Sequence, residues 1–425
     1  MSAAARLDIL AFGGIRTASS VVSFFGAFYL VAIGTANTYG IYLVMFSTAG
    51  IIATLLRMGA DHSLLRLSRL PMRARRSTDP RLRLLRGWGV VWAGALGLAL
   101  IAWAAGLPLG LRAVEGTLMA LALISGRFLR SCQRPRAAAL FDPPFMHLFG
   151  VGLLCLGAAP ELAMAAGVVL WVLLALVVFA RTMGADIFHD LARTRPWIAA
   201  RPRRLSEVFS TYLIEIGFGN GINLVIEALH GAAALAIYNT IMKVNFVSEQ
   251  AQEFQRVFRI NIGRVAPAMA AAGTGPKAIV KRVLARFDVP RDAPGSGIGE
   301  IAFFAGLSAV GNAVILIFLL NTDFAVLPGW AFFVLITMFQ SLSLIAGPAI
   351  FAIWVFRSVT LANAMRATWV AAFGACLMLL PPAPELWALA NIALLAILRY
   401  GALRVWTAGL GRGAARGPSG PTPRI

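Results

Sequence analysis

Residues 161–181 read ELAMAAGVVLWVLLALVVFAR, a run of apolar side chains with an acidic residue at one end and a basic residue at the other. A helix rises 1.5 Å per residue, so about 20 such residues cross the hydrocarbon core of a bilayer. The apolar run is continuous and does not alternate with polar residues, which disfavours a strand of a membrane barrel. This stretch therefore predicts a transmembrane helix.

About twelve stretches of this kind, each near 20 residues long, occupy more than half of the chain. The chain is 59% hydrophobic and 13% charged with a mean hydropathy of +0.78, whereas a typical soluble domain is about 25% charged. This composition excludes a soluble enzyme and predicts an all-α polytopic membrane protein with about 12 transmembrane helices. The predicted spans are 12–34, 39–59, 87–106, 109–128, 143–159, 161–181, 207–229, 232–252, 300–320, 326–354, 359–380 and 384–404.

The basic residues are distributed unevenly between the loops. The loops after the second, fourth, sixth and eighth spans are long and basic, and Arg57 to Arg86 alone contains nine arginines. With these spans, every Lys and Arg except Arg112 lies on one side of the membrane or in the helix halves nearest to it. The positive-inside rule then predicts that both termini are cytoplasmic. Topology and contact with anionic membrane lipids account for the net charge of +20, so we expect no nucleic-acid partner.

The order of the spans predicts two six-helix lobes of the same orientation. The predicted segments are an N-terminal lobe at 1–181, a basic cytoplasmic linker at 182–206, a C-terminal lobe at 207–404 with a cytoplasmic loop at 253–299, and a disordered basic tail at 405–425. The first two helices of each lobe are joined similarly, by Gly34 before Tyr39 and by Gly231 before Tyr238. Each join predicts a tight glycine turn followed by an aromatic residue near the outer interface. Such parallel repeats hold their substrate between the lobes.

Lys243 is the most deeply placed intramembrane charge that the sequence predicts. It lies about 10 residues from either end of its span, or ~15 Å deep, and intramembrane charges are costly enough to suggest function. Asn239 lies one turn earlier on nearly the same stripe. Two interpretations remain open: Lys243 lines a substrate cavity, or it forms a structural ion pair with a carboxylate such as Glu215. Arg16, inside the first span, either extends its charge to the membrane interface (snorkelling) or lines a central cavity. Arg57, at the inner end of the second span, is either a cavity-lining or a topology charge.

The seventh span has one polar face, formed by Glu215, Asn220, Asn223 and Glu227 within an arc of ~140°. A polar face beside Lys243 suggests a water-filled cavity, in which a glutamate carries a coupling proton or sodium ion or forms a structural ion pair. We therefore assign two sets of candidate residues. They are Arg16, Arg57, Asn223, Asn239 and Lys243 for substrate binding, and Glu215 and Glu227 for ion coupling.

No set of residues in the chain predicts catalysis, a metal or a cofactor. The predicted outer loops are short and have no paired carboxylates, which disfavours a membrane enzyme such as a polysaccharide polymerase. The glycines of Gly217–Gly221 follow no strand, so they are not a nucleotide fingerprint. The three cysteines are scattered and the four histidines have no metal-ligand spacing. We expect a transporter that breaks no covalent bond.

Several short motifs resemble those of Wzx-type polysaccharide flippases, in the multidrug/oligosaccharidyl-lipid/polysaccharide exporter (MOP) superfamily. They are YGIY at 39–42, LLRMGAD at 55–61, AIYN at 236–239 and IGRVAP at 262–267. The resemblance implies a two-lobed, 12-helix fold that works by alternating access in the cytoplasmic (inner) membrane of a bacterium. It implies transfer of an undecaprenyl-pyrophosphate-linked oligosaccharide to the outer leaflet for lipopolysaccharide or other surface polysaccharide biosynthesis. Polysaccharide polymerase or ligase machinery would then be a partner.

A small-molecule secondary transporter is the main alternative. Transporters of the major facilitator type also have 12 helices, but they usually carry a Gly-x-x-x-Asp-Arg/Lys-x-Gly-Arg/Lys-Arg/Lys loop after the second helix. Here the sequence at 57–63 reads RMGADHS, and that motif is absent. A drug exporter is less favoured, because a cationic cavity repels cationic drugs.

Overall fold

The structure is a computed structural model. It describes residues 3–57, 59–67, 79–132, 134–184, 186–196, 210–214, 216–243, 306, 309–310, 312–314, 316–317, 327–346 and 359–414. Helices joined by short turns make up these residues, and no β-strand occurs among them, which confirms the predicted all-α class. The chain divides into two compact units, residues 1–243 (unit 1) and 244–425 (unit 2).

The helices of unit 1 agree closely with the predicted spans. They are α1 (Ala3–Ala32), α2 (Ala36–Arg57), α3 (Ala60–Leu67), α4 (Pro80–Ala104), α5 (Gly110–Ser131), α6 (Pro135–Ala139), α7 (Pro143–Cys155), α8 (Pro160–Met183), α9 (Asp186–Arg193), α10 (Ser210–His230) and α11 (232–243). The short helices α3, α6 and α9 lie in predicted cytoplasmic loops. They were not predicted, because at five to eight residues they are too short to give a membrane-span signal. The eight longer predicted spans each fall on one helix.

Local sequence signals explain where two of the membrane-length helices, α4 and α8, begin. Asp79 caps α4, because its carboxylate accepts a hydrogen bond from the Arg81 backbone N–H at 2.8 Å and Pro80 occupies the first turn. In α8, Pro160 and Glu161 open the helix and Arg181 lies in its last turn, so both charges complement the helix dipole.

The interior of unit 1 lies between α1, α2, α5, α7 and α8, which pack against one another. Glycines allow the closest approaches, since a methyl group at Gly167 of α8 would lie 3.1 Å from the Gly150 Cα of α7. The fully buried Trp171 of α8 donates its indole N–H to the Leu140 carbonyl at 2.8 Å. Small residues and buried aromatic rings therefore form the core.

The two similar helix joins both contain the predicted glycine turn. Gly34 has φ +82° and Gly231 has φ +85°, a left-handed conformation that favours glycine. The aromatic residues that follow these turns, Tyr39 and Tyr238, are both buried in unit 1, and their position near the outer interface stays a prediction. Helices α2 and α11 approach each other closely here, since a Cβ at Gly40 would collide with the Ala232 backbone.

The outer surface of unit 1 is apolar where a membrane protein contacts lipid. On α4, Leu98, Ile101 and Trp103 are 71%, 67% and 53% exposed. Contiguous apolar exposure of this kind is unusual for a soluble protein. Among the described residues, six helices are long and apolar enough to cross a membrane: α2, α4, α8 and α10 of unit 1, and two helices of unit 2 at 360–379 and 384–402. The chain is therefore a multi-pass membrane protein.

Unit 2 contains α12 (Gly329–Ala346), α13 (Val359–Leu379) and α14 (Pro384–Ala414), and α14 packs against both of the others. The described residues between 306 and 317 are also helical and fall in the ninth predicted span. The last helix was predicted to end at 404 but continues to Ala414, into the segment predicted as a disordered tail. The predicted cytoplasmic loop at 253–299 lies outside the described residues.

Two parts of the predicted organisation stay predictions. The first is the cytoplasmic location of both termini. The second is the lobe boundary at 182–206, because α10 and α11, predicted to open the C-terminal lobe, lie within unit 1. They contact α2 there, through Ala232 next to Gly40 and Asn220 next to Gly50.

Candidate functional site

Lys243 is the last described residue of α11 and is buried inside unit 1, with 8% of its surface exposed. Its ammonium donates hydrogen bonds to the Ser23 hydroxyl at 2.7 Å and to the Ser23 carbonyl at 3.0 Å. It also lies 5.6 Å from the centroid of the Tyr39 ring, within the range of a cation–π contact. Polar atoms of α1 and an aromatic face of α2 therefore replace water around this charge.

No carboxylate among the described residues pairs with Lys243. Glu215, the predicted partner in the ion-pair interpretation, lies outside the described residues. The described contacts of Lys243 thus stabilise its positive charge by hydrogen bonds and an aromatic ring, but none of them neutralises it.

Aromatic residues extend from Lys243 towards α7. The Tyr39 and Tyr42 rings stack with centroids 6.3 Å apart, and the Tyr42 ring meets the His147 ring edge-on at 6.0 Å. His147 also packs against the Phe46 ring at 4.0 Å. We call Ser23, Tyr39, Tyr42, His147 and Lys243 the aromatic–lysine cluster. Its members come from α1, α2, α7 and α11.

Three polar atoms of the aromatic–lysine cluster are buried without a hydrogen-bond partner among the described residues. They are the hydroxyl oxygens of Tyr39 and Tyr42 and the Nδ1 atom of His147. A buried polar group that makes no hydrogen bond costs about 1–3 kcal/mol, so such groups are rare unless water or a ligand meets them. The cluster therefore has unused capacity to bind a polar molecule.

A row of two amides and a hydroxyl begins one turn before Lys243 on α11 and crosses to α10 and α2. Asn239 donates to the Asn223 side-chain oxygen at 3.2 Å, and Asn223 donates to the Ser47 hydroxyl at 2.8 Å. Asn220, one turn before Asn223, lies against Gly50, where a Cβ would meet its amide nitrogen at 2.5 Å. The structure thus brings together three of the predicted substrate-binding residues: Asn223, Asn239 and Lys243.

A π-helical turn of α10 contains Asn220 and directly precedes the turn with Asn223. Residues Gly217–Gly221 form that turn inside the helix, and π-turns of this kind occur often at functional sites. Three of its five residues are glycines, and a Cβ at Gly221 would lie 3.0 Å from the Ile216 carbonyl oxygen. The stretch that resembles a nucleotide motif is thus a local distortion of a membrane helix.

The other predicted substrate-binding arginines do not join the aromatic–lysine cluster. Arg57 lies 18 residues along α2 from Tyr39, or ~27 Å away, because a helix rises 1.5 Å per residue. It donates to the Thr54 hydroxyl at 3.0 Å and lies 5.7 Å from the Tyr212 ring centroid. Arg16 lies on α1, but its side chain is outside the described residues. A single site with all three cations therefore does not form in unit 1.

Of the predicted ion-coupling residues, only Glu227 is described. It lies half-buried on α10, one turn after Asn223, and makes no ion pair with any described residue. A third acidic residue, Glu115 of α5, was not predicted. It is 2% exposed and pairs with Arg112 at 2.5 Å. The sequence did contain a signal for Glu115. Arg112 is the one cation that the topology assignment places on the outer side, and an isolated cation there implies a nearby carboxylate.

Unit 2 has a polar network of its own. Asn312 donates to the Gln340 side-chain oxygen at 2.8 Å and to the Thr337 hydroxyl at 3.0 Å. Arg399 of α14 donates to the Ser343 hydroxyl of α12. These contacts are interhelical hydrogen bonds of the kind that holds membrane helices together. Within the described ranges, no group of three His, Cys, Asp or Glu residues could hold a metal ion.

Comparison with solved structures identifies a similar fold. An outward-facing multidrug resistance MATE family transporter of the MOP superfamily matches with a TM-score of 0.52 and 10% sequence identity, covering 95% of this chain and 96% of that chain. A MATE protein in complex with Br-NRF and a eukaryotic MATE transporter also match, with TM-scores of 0.47 and 0.34 and identities of 10% and 13%. They cover 96% of this chain, and 95% and 96% of their own chains. No family model and no curated protein matches the sequence. The chain is thus a polytopic helical membrane protein whose fold is similar to that of a MATE family transporter of the MOP superfamily.

Proposed function

We propose that this protein is a flippase that moves an undecaprenyl-pyrophosphate-linked oligosaccharide across the bacterial cytoplasmic membrane by alternating access. The observation that carries the proposal is the charge of Lys243, which is buried in a transporter-like fold with no carboxylate partner among the described residues. Such a charge attracts an anionic cargo. A pyrophosphate group has the complementary charge.

The energetic problem of flipping is the polar head of the lipid. The pyrophosphate is charged and the sugars carry many hydroxyls, so exposing them to hydrocarbon costs many kcal/mol. A charge-assisted hydrogen bond to Lys243 offsets part of the cost for the phosphate, at about 1.5–3 kcal/mol. The Asn223 and Asn239 amides offer donors and acceptors for hydroxyl groups. The isoprenoid tail needs no such site, because it can remain in the bilayer.

Export of a small molecule or drug is the second candidate function. The similar fold of a multidrug resistance MATE transporter favours it. Electrostatics distinguishes the two, since an unpaired carboxylate favours a cationic drug whereas an unpaired cation favours an anionic cargo. Of the two described glutamates inside the spans of unit 1, Glu115 is already paired with Arg112 at 2.5 Å, and Glu227 makes no ion pair but is only half-buried. Lys243, by contrast, is a buried cation with no carboxylate partner among the described residues. We therefore place lipid-linked oligosaccharide first. Under this proposal the protein is not an enzyme and needs no cofactor, and its product passes to polymerase or ligase machinery.

The deciding experiment depletes the protein and measures the lipid-linked oligosaccharide pool on each leaflet of the membrane. We expect pyrophosphate-linked glycan to accumulate on the inner leaflet and surface polysaccharide to fall. An unchanged pool with normal surface polysaccharide would reject the flippase and direct attention to small-molecule uptake and efflux.

Complementation with Lys243 variants then tests the site. We expect Lys243→Ala to reduce outer-leaflet glycan by about 10- to 100-fold, which is the rate equivalent of one charge-assisted hydrogen bond. Lys243→Arg, which keeps the charge, should retain more activity. Arg193→Ala is the matched control, since Arg193 is exposed on α9 and should tolerate loss of its charge. Normal flipping by an abundant Lys243→Ala protein would contradict a role in cargo binding.

A further inference from the structure

The last turn of α2 is bound by side chains of two other helices. The Leu56 carbonyl accepts a hydrogen bond from the Trp88 indole N–H of α4 at 2.8 Å. The backbone N–H of Gly59, just beyond the helix, donates to the Tyr212 hydroxyl of α10 at 2.8 Å. The last carbonyls of a helix are commonly satisfied by the N–H groups that follow it. Here one such carbonyl is bound by α4 and one such N–H by α10, so both helices are joined to this end of α2.

The Tyr212 side chain makes a second contact with α2. It is buried, and the guanidinium carbon of Arg57 lies 5.7 Å from its ring centroid, within the range of a cation–π contact. Arg57 also donates to the Thr54 hydroxyl of its own helix at 3.0 Å, which orients the guanidinium along α2. We call Arg57, Gly59 and Tyr212 the α2–α10 latch. One hydrogen bond and one cation–π contact therefore join the two helices at this end.

The α2–α10 latch lies at one end of a series of contacts along α2. At the opposite end, a Cβ at Gly40 would collide with the backbone of α11. Between the two ends, Asn223 of α10 donates to the Ser47 hydroxyl at 2.8 Å. Tyr212 lies 11 residues before Asn223 on α10, or ~16 Å away at 1.5 Å per residue. Separation of α2 from α10 at the latch would therefore open a route from this end of the helices towards Asn223.

The conformation of Gly59 allows the α2–α10 latch to open without leaving its N–H unbonded. The φ of Gly59 is +80°, the left-handed conformation in which a glycine after a helix donates its N–H back to a carbonyl of the last turn. When Tyr212 moves away, the Gly59 N–H can bond such a carbonyl of α2, and the Tyr212 hydroxyl can bond water. An N–H group with two alternative acceptors suits a segment that switches between two states.

We propose that Tyr212 is the residue that holds α2 and α10 closed at the Arg57 end, and that breaking its bond to Gly59 opens this end to cargo. The Arg57 end of α2 is the predicted cytoplasmic end, so the open state takes up cargo from the inner side of the membrane. The latch rests on the alternating access of the proposed function, but not on the identity of the cargo. It gives Arg57 a role in closing the helices in place of the predicted role in substrate binding.

Distance measurements between two spin labels test the latch in the full chain in phospholipid bilayers, without cargo. The labels are attached at Leu55→Cys on α2 and Leu213→Cys on α10 in an otherwise cysteine-free variant, because both side chains are exposed beside the latch. Tyr212→Phe keeps the ring and removes only the hydroxyl that accepts the Gly59 N–H. We expect the ratio of long to short label distances to rise about fivefold, which is the equilibrium equivalent of one net hydrogen bond.

Tyr400→Phe is the matched control, because Tyr400 also lies beside an arginine, with Arg404 5.5 Å from its ring centroid, but belongs to unit 2. It should leave the distances between the two labels at their wild-type values. Two results would overturn the latch. The first is a ratio of distances in Tyr212→Phe that equals the wild-type ratio, and the second is an equal rise in Tyr400→Phe. Failure of the flippase proposal would be seen separately, as an unchanged lipid-linked oligosaccharide pool after depletion.

Discussion

At the scale of single residues, the apolar surroundings of the buried charged groups determine that each of them needs a specific partner. Lys243 is held by a serine and an aromatic face, and Glu115 by Arg112 three residues earlier. Each is charged inside an apolar unit and each has a specific partner, as burial of a charge requires. Outside the membrane spans, Cys132 shows the effect of the same environment on a reactive group.

The thiol of Cys132, just beyond the end of α5, should react slowly with alkylating reagents. Burial raises the pKa of its side chain to about 11. Only the thiolate reacts, so at pH 7 its population should be about 100-fold lower than for an ordinary cysteine with a pKa two units lower. We expect maleimide labelling of a Cys155→Ser/Cys376→Ser variant to be slow at pH 7 and to rise about tenfold per pH unit up to pH 10.

The same variant unfolded in detergent serves as the control for Cys132, because unfolding removes the burial that raises the pKa. A labelling rate in the folded protein that levels off below pH 9 would contradict the prediction.

At the scale of helices, contact of the Tyr42 side chain of α2 with His147 and Gly150 of α7 positions the aromatic–lysine cluster. A Cβ at Gly150 would collide with the Tyr42 hydroxyl and lie 2.7 Å from two carbons of its ring. Gly150→Ala should therefore destabilise the protein by about 1–3 kcal/mol and lower its apparent Tm in detergent. Gly152→Ala is the control on the same helix, since no atom lies within 4 Å of its Cβ position. Equal thermal stability of the two variants would show that α2 does not pack here as described.

The helices themselves could largely be predicted from the sequence, whereas the question of which helices pack against one another could not. A membrane span has a local signal of about 20 apolar residues, and α8 begins and ends within two residues of the predicted 161–181. The aromatic–lysine cluster has no local signal, because Ser23, Tyr39, His147 and Lys243 are far apart in the sequence. Only the packing of four helices brings them together. Lys243 was predicted as a site residue because a charge at that depth is conspicuous in any sequence.

At the scale of the whole molecule, the distribution of charge predicts the orientation in the membrane. The arginines gather at the ends of helices predicted to be cytoplasmic, and Arg112 is the exception. Its ion pair with Glu115 neutralises it locally. The exception does not weaken the positive-inside argument, since the orientation follows from the bias of all the Lys and Arg residues and one cation on the other side does not reverse it.

Orientation can be tested with single cysteines placed on opposite faces of unit 1. Leu107 is 57% exposed in the turn between α4 and α5, and Ala192 is exposed on α9. In a cysteine-free variant, Leu107→Cys should react with a membrane-impermeant maleimide added outside spheroplasts, and Ala192→Cys should react only after permeabilisation. The reverse pattern would place both termini outside. It would also put the Arg112–Glu115 ion pair, which lies near the Leu107 turn, on the cytoplasmic side.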